Sequence, residues 1–229
     1  TAAGSRNVIS GNTGHGVWLY STTTGAVVQG NLIGTSASGF AAVPNQVHGV
    51  AISGASSNTI GGTTSAARNV ISGNNRYGVI LSGGNNVLRG NYIGTDATGS
   101  LDLGNTDSGI VVDVVSGNMI GGTAAGAGNL ISGNDGNGVL ITSKATKNQL
   151  SGNFIGTDYT GQWTAPDTFE ITITNTAGNG LALGTTTVTP AGTTPILDVT
   201  LQSTASTATS PALAGDFGRS APWLEPVVW

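Results

Sequence analysis

The chain has no cysteine in its 229 residues, which excludes both a disulfide framework and a thiolate metal site. It has only two glutamates, Glu170 and Glu225, and two lysines, Lys144 and Lys147, with 8% charged residues overall. Exposed helices draw their polar faces from Glu, Lys and Arg, so this shortage excludes a helical protein and predicts an all-β chain. Cations are few and scattered, at Arg6, Arg68, Arg76, Arg89, Arg219 and the two lysines, and the net charge is −4. Nucleic-acid binding needs clustered Lys and Arg, so that class is excluded from the reading. No run of apolar residues is long enough for a signal peptide or a membrane span.

What is abundant is glycine, 38 residues, together with Asn, Ser and Thr, the residues of tight turns. They are set in repeats. RNVISGN at 6–12 recurs at 68–74 and as GNLISGN at 128–134. GNLIGTSASG (30–39) returns as GNYIGTDATG (90–99) and GNFIGTDYTG (152–161), and SNTIGGT (57–63) as GNMIGGT (117–123). A strand motif divides this period of about 60 residues: GVWLY, GVAIS, GVILS, GIVVD and GVLIT start 33, 29, 31 and 29 residues apart. NGLALG (179–184) is read as a looser sixth copy.

Short strands at such a period bury their apolar faces only by stacking in parallel register. The predicted fold is therefore an all-β, right-handed parallel β-helix of five to six coils. Residues 1–162 form the helix, and 163–229 form a final irregular coil and capping tail. Stacking places Ile9, Ile33, Ile71, Ile93, Ile131 and Ile155 in one inward column. Val17, Val50, Val79, Ile110 and Val139 make a second, and Leu19, Ile52, Leu81, Val112 and Ile141 a third. Asn7, Asn31, Asn69, Asn91, Asn129 and Asn153 form a ladder of corner amides.

The repeat wording resembles the right-handed parallel β-helix repeats of pectin-degrading enzymes, phage tailspikes and large bacterial surface proteins. GNxIGTDATG and NxIGGT are similar to repeat tracts of large exported bacterial proteins. The resemblance covers residues 1–162 and implies an extracellular or cell-surface location. Because 1–12 matches the middle of a later repeat, the chain is expected to begin inside a coil of a longer exported protein. Gly14-His15-Gly16 resembles the GHG element of polygalacturonases. The Asn-Thr-Asp segment, adjacent Asp pair and Arg-x-Lys motif of that family are missing.

Three groups of candidate site residues follow. The residue between the inward positions of the strand motif points out, giving the column Trp18, Ala51, Ile80, Val111 and Leu140, with Ala182 as its sixth member and Tyr20 beside it. An apolar stripe there predicts a covering segment or a polysaccharide or protein partner. The apolar tail at 221–229, with Trp223, Leu224 and Trp229, is the expected cover, within a monomer or across a tail-mediated dimer. His15 and His48, on adjacent coils, with Asp107 and Asp113 are weak catalytic candidates. Asp96, Asp102 and Asp107 lie in one long loop and predict a Ca²⁺ site, since hard cations take several oxygen ligands.

Two functions compete on this reading. One is a non-catalytic exported solenoid, serving as a stalk or as a carbohydrate- or protein-binding surface. The other is a polysaccharide-active lyase or glycoside hydrolase, for which no second catalytic acid is visible. Fold alone is a weak warrant for catalysis, and the first is preferred.

Overall fold

The computed structural model describes residues 6–142 and 144–158, and beyond them the backbone of three short strands. The described residues contain no helix; the strands β1 to β19 are numbered in chain order. Three parallel sheets run along the described residues. The first sheet stacks β1 (Val8–Ile9), β4 (Leu32–Ile33), β7 (Val70–Ile71), β10 (Tyr92–Ile93), β13 (Leu130–Ile131) and β16 (Phe154–Ile155). The second stacks β2 (Val17–Tyr20), β5 (Val50–Ser53), β8 (Val79–Ser82), β11 (Ile110–Val112), β14 (Val139–Ile141) and β17 (Ile171–Ile173). The third stacks β3 (Val27–Val28), β6 (Thr59–Gly61), β9 (Val87–Arg89), β12 (Met119–Gly121) and β15 (Gln149–Ser151). Each strand pairs with the strand three further along the chain, which defines a parallel β-solenoid.

The register follows the sequence columns. Ile9 pairs with Ile33, Ile33 with Ile71, and the column continues through Ile93 and Ile131 to Ile155. In the second sheet Val17, Val50, Val79, Ile110 and Val139 stand in one column and Leu19, Ile52, Leu81, Val112 and Ile141 in another. The third sheet adds Ile60, Leu88, Ile120 and Leu150, and the three sets meet in one core.

The sixth member of the second sheet is Ile171–Ile173, which pairs with β14. The expected sixth copy at NGLALG lies elsewhere, because β18 (Leu181–Leu183) pairs antiparallel with β19 (Leu201–Ser203). Spacing explains the correction: Ile171 follows Val139 by 32 residues, within the repeat period, whereas Leu181 overshoots it. Ala182 is therefore not in the outward column. The tail residues Trp223, Leu224 and Trp229 lie outside the described residues, as do the side chains of the expected cap.

Asparagines tie the corners. In the ladder from Asn7 to Asn153 each side-chain Oδ1 accepts from the preceding rung. Asn69 Oδ1 takes both the backbone N–H and Nδ2 of Asn31, each at 3.0 Å. The freed Nδ2 protons reach carbonyls inside the corner, as Asn91 Nδ2 does to Ile60 O at 2.9 Å. Two more ladders of the same design stand at the other corners. One runs through Asn12, Asn45, Asn74, Asn105 and Asn134, the other through Asn58, Asn86, Asn118 and Asn148. In the first rung of the last ladder Ala26 holds the corner, its N–H donating to Asn58 Oδ1 at 2.9 Å. Amides bonded along the ladder and into the corner replace the sheet hydrogen bonds where the chain turns.

The two-rung period has a physical cause. The loops 34–43 and 94–103 fold back over the outer face of the first sheet, closed by Ser36 N–H to Ala41 O and Asp96 N–H to Leu101 O. Gly39 lies against Leu32, and Gly99 against the Tyr92 ring and Leu130. Leu32, Val70 and Leu130 are thereby buried although they point away from the core. The two loops meet directly, Ala97 N–H donating to Gly39 O at 3.0 Å across the intervening rung. Two rungs span about 10 Å, roughly one packed layer of side chains, so a loop this thick fits on every second rung. At the corner between the third and first sheets, loops 62–67 and 122–127 alternate with them in the same way. Ala67 O and Ala127 O accept from Gly30 N–H and Gly90 N–H. Glycine is required where these layers touch: Gly94 has φ +92°, and a Cβ there would stand 2.2 Å from Ser132 O on the next rung.

Candidate functional site

The second sheet carries the side chains with the most unusual environment. In the column before each strand, His15, His48 and Tyr77 stack along the rod. The His15 and His48 rings are 5.1 Å apart and 10° from parallel; His48 and Tyr77 are 4.8 Å apart at 4°. The spacing is that of the rungs, so the sheet itself sets the stack. Arg76 extends it, its guanidinium 5.8 Å from the Tyr77 ring.

At the first rung this stack turns across the sheet. His15 contacts Trp18 with centroids 5.5 Å apart, and Trp18 contacts Tyr20 at 4.9 Å, both tilted. Trp18 Nε1 donates to Ser53 Oγ on the next rung at 3.2 Å, drawing the indole across Ala51. Trp18 and Tyr20 remain 56% and 61% exposed, which makes them a ring platform on the outside of the rod.

The rest of the outward column differs from the uniform stripe expected. Trp18, Ala51, Ile80, Val111 and Leu140 stand in register. Ala51 and Val111 are nevertheless buried, and Ile80 and Leu140 are half-buried. At rung spacing a large side chain shadows a smaller neighbour: Ala51 lies between Trp18 and Ile80, and Val111 between Ile80 and Leu140. Exposed apolar surface in this column is concentrated at Trp18.

The weak catalytic set divides. His15 and His48 come together, and His15 Nδ1 accepts the His48 backbone N–H at 3.4 Å. Burial drives the His48 pKa down to about 4, helped by the positive charge of His15 and Arg76 and opposed by Asp107. Burial also lowers that of His15. Asp107 accepts the Ser108 N–H at 2.8 Å, beside the stack. Asp113 follows β11 at its far end and accepts from Thr142 Oγ1 at 3.1 Å, a full strand away from the histidines. The four residues do not form one catalytic group.

The three aspartates expected to bind Ca²⁺ each accept hydrogen bonds from their own loop. Asp96 is buried, and its carboxylate takes the N–H groups of Thr98, Ser100 and Leu101 and the Thr98 hydroxyl. Asp102 accepts from Gly104 N–H at 2.9 Å and Asp107 from Ser108 N–H. Each carboxylate is used to close its own turn, and among the described residues no group of three acidic or imidazole side chains could hold a metal ion.

The fold and these surfaces define a parallel β-solenoid with an aromatic platform at one end of its second sheet. Searches against protein-family models, curated proteins and solved structures return no match to this chain. Among the described residues no helix is long and apolar enough to cross a membrane.

Proposed function

We propose that the chain is a non-catalytic segment of an exported surface solenoid whose second sheet binds carbohydrate at Trp18, Tyr20 and His15. The observation that carries the reading is a set of three rings in mutual contact, His15, Trp18 and Tyr20, on the outward side of the second sheet. Aromatic faces stack on the C–H faces of sugar rings, and tilted pairs follow the bend between successive sugars. Polar groups at the platform edge, the Tyr20 hydroxyl and the remaining ring nitrogen of His15, Nε2, supply hydroxyl partners. The parallel sheets beneath hold both rings on β2, so little ordering is needed on binding.

A glycan array probed with the purified chain and with a Trp18→Ala/Tyr20→Ala variant tests the proposal. The chain should retain a defined set of oligosaccharides and the variant should lose it, with reducing ends and unsaturated products absent from both. Equal retention by the variant would refute the platform, and product formation would refute the non-catalytic reading.

A further inference from the structure

A second feature lies at the corner between the third and first sheets, away from the aromatic platform. Asn7, Asn31, Asn69 and Asn91 follow one another in the ladder, so the residues before them share one column along the rod. That column places Arg6 two rungs from Arg68, about 10 Å away, and Arg68 one rung from Gly90. Arg89 immediately precedes Gly90 and ends β9 at the same corner. Three of the five arginines in the chain thus gather on one edge of a protein whose net charge is −4.

Their partners are too few for their charge. The Arg68 guanidinium lies over the Tyr92 ring, 4.0 Å from its centroid, which fixes its plane and leaves its hydrogen-bond donors unused. Arg68 Nε and Arg89 Nε are buried without a hydrogen-bond partner. Arg6 reaches only the Ser65 carbonyl at 3.4 Å. Among the described residues no carboxylate pairs with any of the three. Arg68 and Arg89 are only half-buried, and their terminal N–H groups have no acceptor among the described residues; an oxyanion is the partner that such charged donors favour.

We propose that this corner binds the carboxylate or sulfate groups of an acidic polysaccharide. The arginines are spread over four successive rungs, Arg6 and Arg68 being about 10 Å apart, which suits charges repeated along a polymer rather than one compact anion. The fork of donors on each guanidinium matches carboxylate and sulfate oxygens. Three cations on an acidic protein are too few for a nucleic-acid backbone, whose binding rests on many phosphate contacts. This site is independent of the carbohydrate platform, and either can fail alone.

Affinity electrophoresis and titration calorimetry with polygalacturonate and chondroitin sulfate test the site, with dextran, a DNA oligonucleotide and inorganic sulfate as further probes. The chain should bind at least one acidic glycan and not dextran through this corner. Binding should weaken at least about tenfold when salt is raised severalfold, as ion release requires. The Arg68→Gln/Arg89→Gln variant, which removes both charges and breaks no hydrogen bond, should lose binding about tenfold or more with an unchanged melting curve. Arg6→Gln reads the same charge from an exposed position should the double variant fold poorly. Trp18→Ala should leave acidic-glycan binding at this corner in place. Absence of binding to both acidic glycans, binding unaffected by the arginine variants, tighter binding of DNA, or binding of inorganic sulfate alone would each overturn the proposal.

Discussion

The inside of the rod and its outside obey different rules. Inside, every rung is alike: four aliphatic columns from three sheets point into one core, and asparagines occupy the corners. Outside, successive rungs differ. Corner loops alternate with a two-rung period, rings gather on the second sheet and arginines at one corner. Stacking explains the contrast. An inward position is repeated because each side chain sits between its two copies, and an odd residue there would leave a void or an unpaired group. An outward position is constrained only by its immediate neighbours, so it is free to carry binding groups.

The sharpest way to break the comparison is to place a charge inside. Ile93 is fully buried in the middle of its column. Ile93→Asp buries an unpaired carboxylate and should abolish cooperative folding, read by circular dichroism and solubility. A soluble variant with an ordinary melting transition would show that the column is not a core. A smaller loss is expected from the corners. Asn91→Ala strips partners from Asn69 Nδ2 and Ile60 O and removes the Nδ2 bond to Asn129 Oδ1, which keeps only the backbone N–H of residue 91. Unsatisfied buried groups cost about 1–3 kcal/mol each, so chemical denaturation should register a loss of several kcal/mol, against near zero for Asn75→Ala, whose amide is exposed.

The stack of rings gives a pH test of intermediate size. His48 has its pKa depressed to about 4 in the folded chain, against an ordinary value of 6.5. Between these values the unfolded chain binds the extra proton, so stability is full above about pH 6.5 and falls as pH drops toward 4. His48→Tyr, which copies Tyr77 on the next rung, should flatten that part of the melting-temperature profile. A profile equally steep in the variant would assign the acid sensitivity to another group. The smallest effect is expected at the acidic loop. Because Asp96 is satisfied by its own turn, a chelator should leave the melting temperature unchanged, and a calcium-dependent rise would restore the metal site.

The division between inside and outside also sets what the sequence reveals. The isoleucine column is legible because GN-x-Ile and RNV-Ile repeat almost unchanged, and the first Asn ladder stands beside it. The other two ladders carry the same signal in varied wording. Asn58 and Asn118 share the NxIGGT string, but Asn86 and Asn148 alternate with them in other wording, so the corner repeats on every rung and the string only on every second. The outward stripe is misjudged from sequence because alternation gives direction, not exposure: Ala51 points out and is shadowed by its neighbours. The acidic loop misleads for a related reason. Spacing reports which carboxylates are near, and only the fold shows that backbone N–H groups have already claimed them. Of the arginine corner the sequence shows only Arg6 and Arg68, which open the two RNVISGN copies; Arg89 joins them only through the rung register.

The claim that the interior holds the fold while the exterior carries recognition is tested most directly by measuring two properties of one variant. Trp18→Ala/Tyr20→Ala removes the exposed platform from β2 and leaves Val17 and Leu19 in their columns. Thermal denaturation and oligosaccharide titration should be run on the same preparation. The account predicts a melting temperature within a few degrees of the parent and at least about a tenfold loss of affinity, the scale of a lost stacking contact at roughly 1.4 kcal/mol per factor of ten. Retained affinity, or loss of binding only together with collapse of the fold, would contradict it.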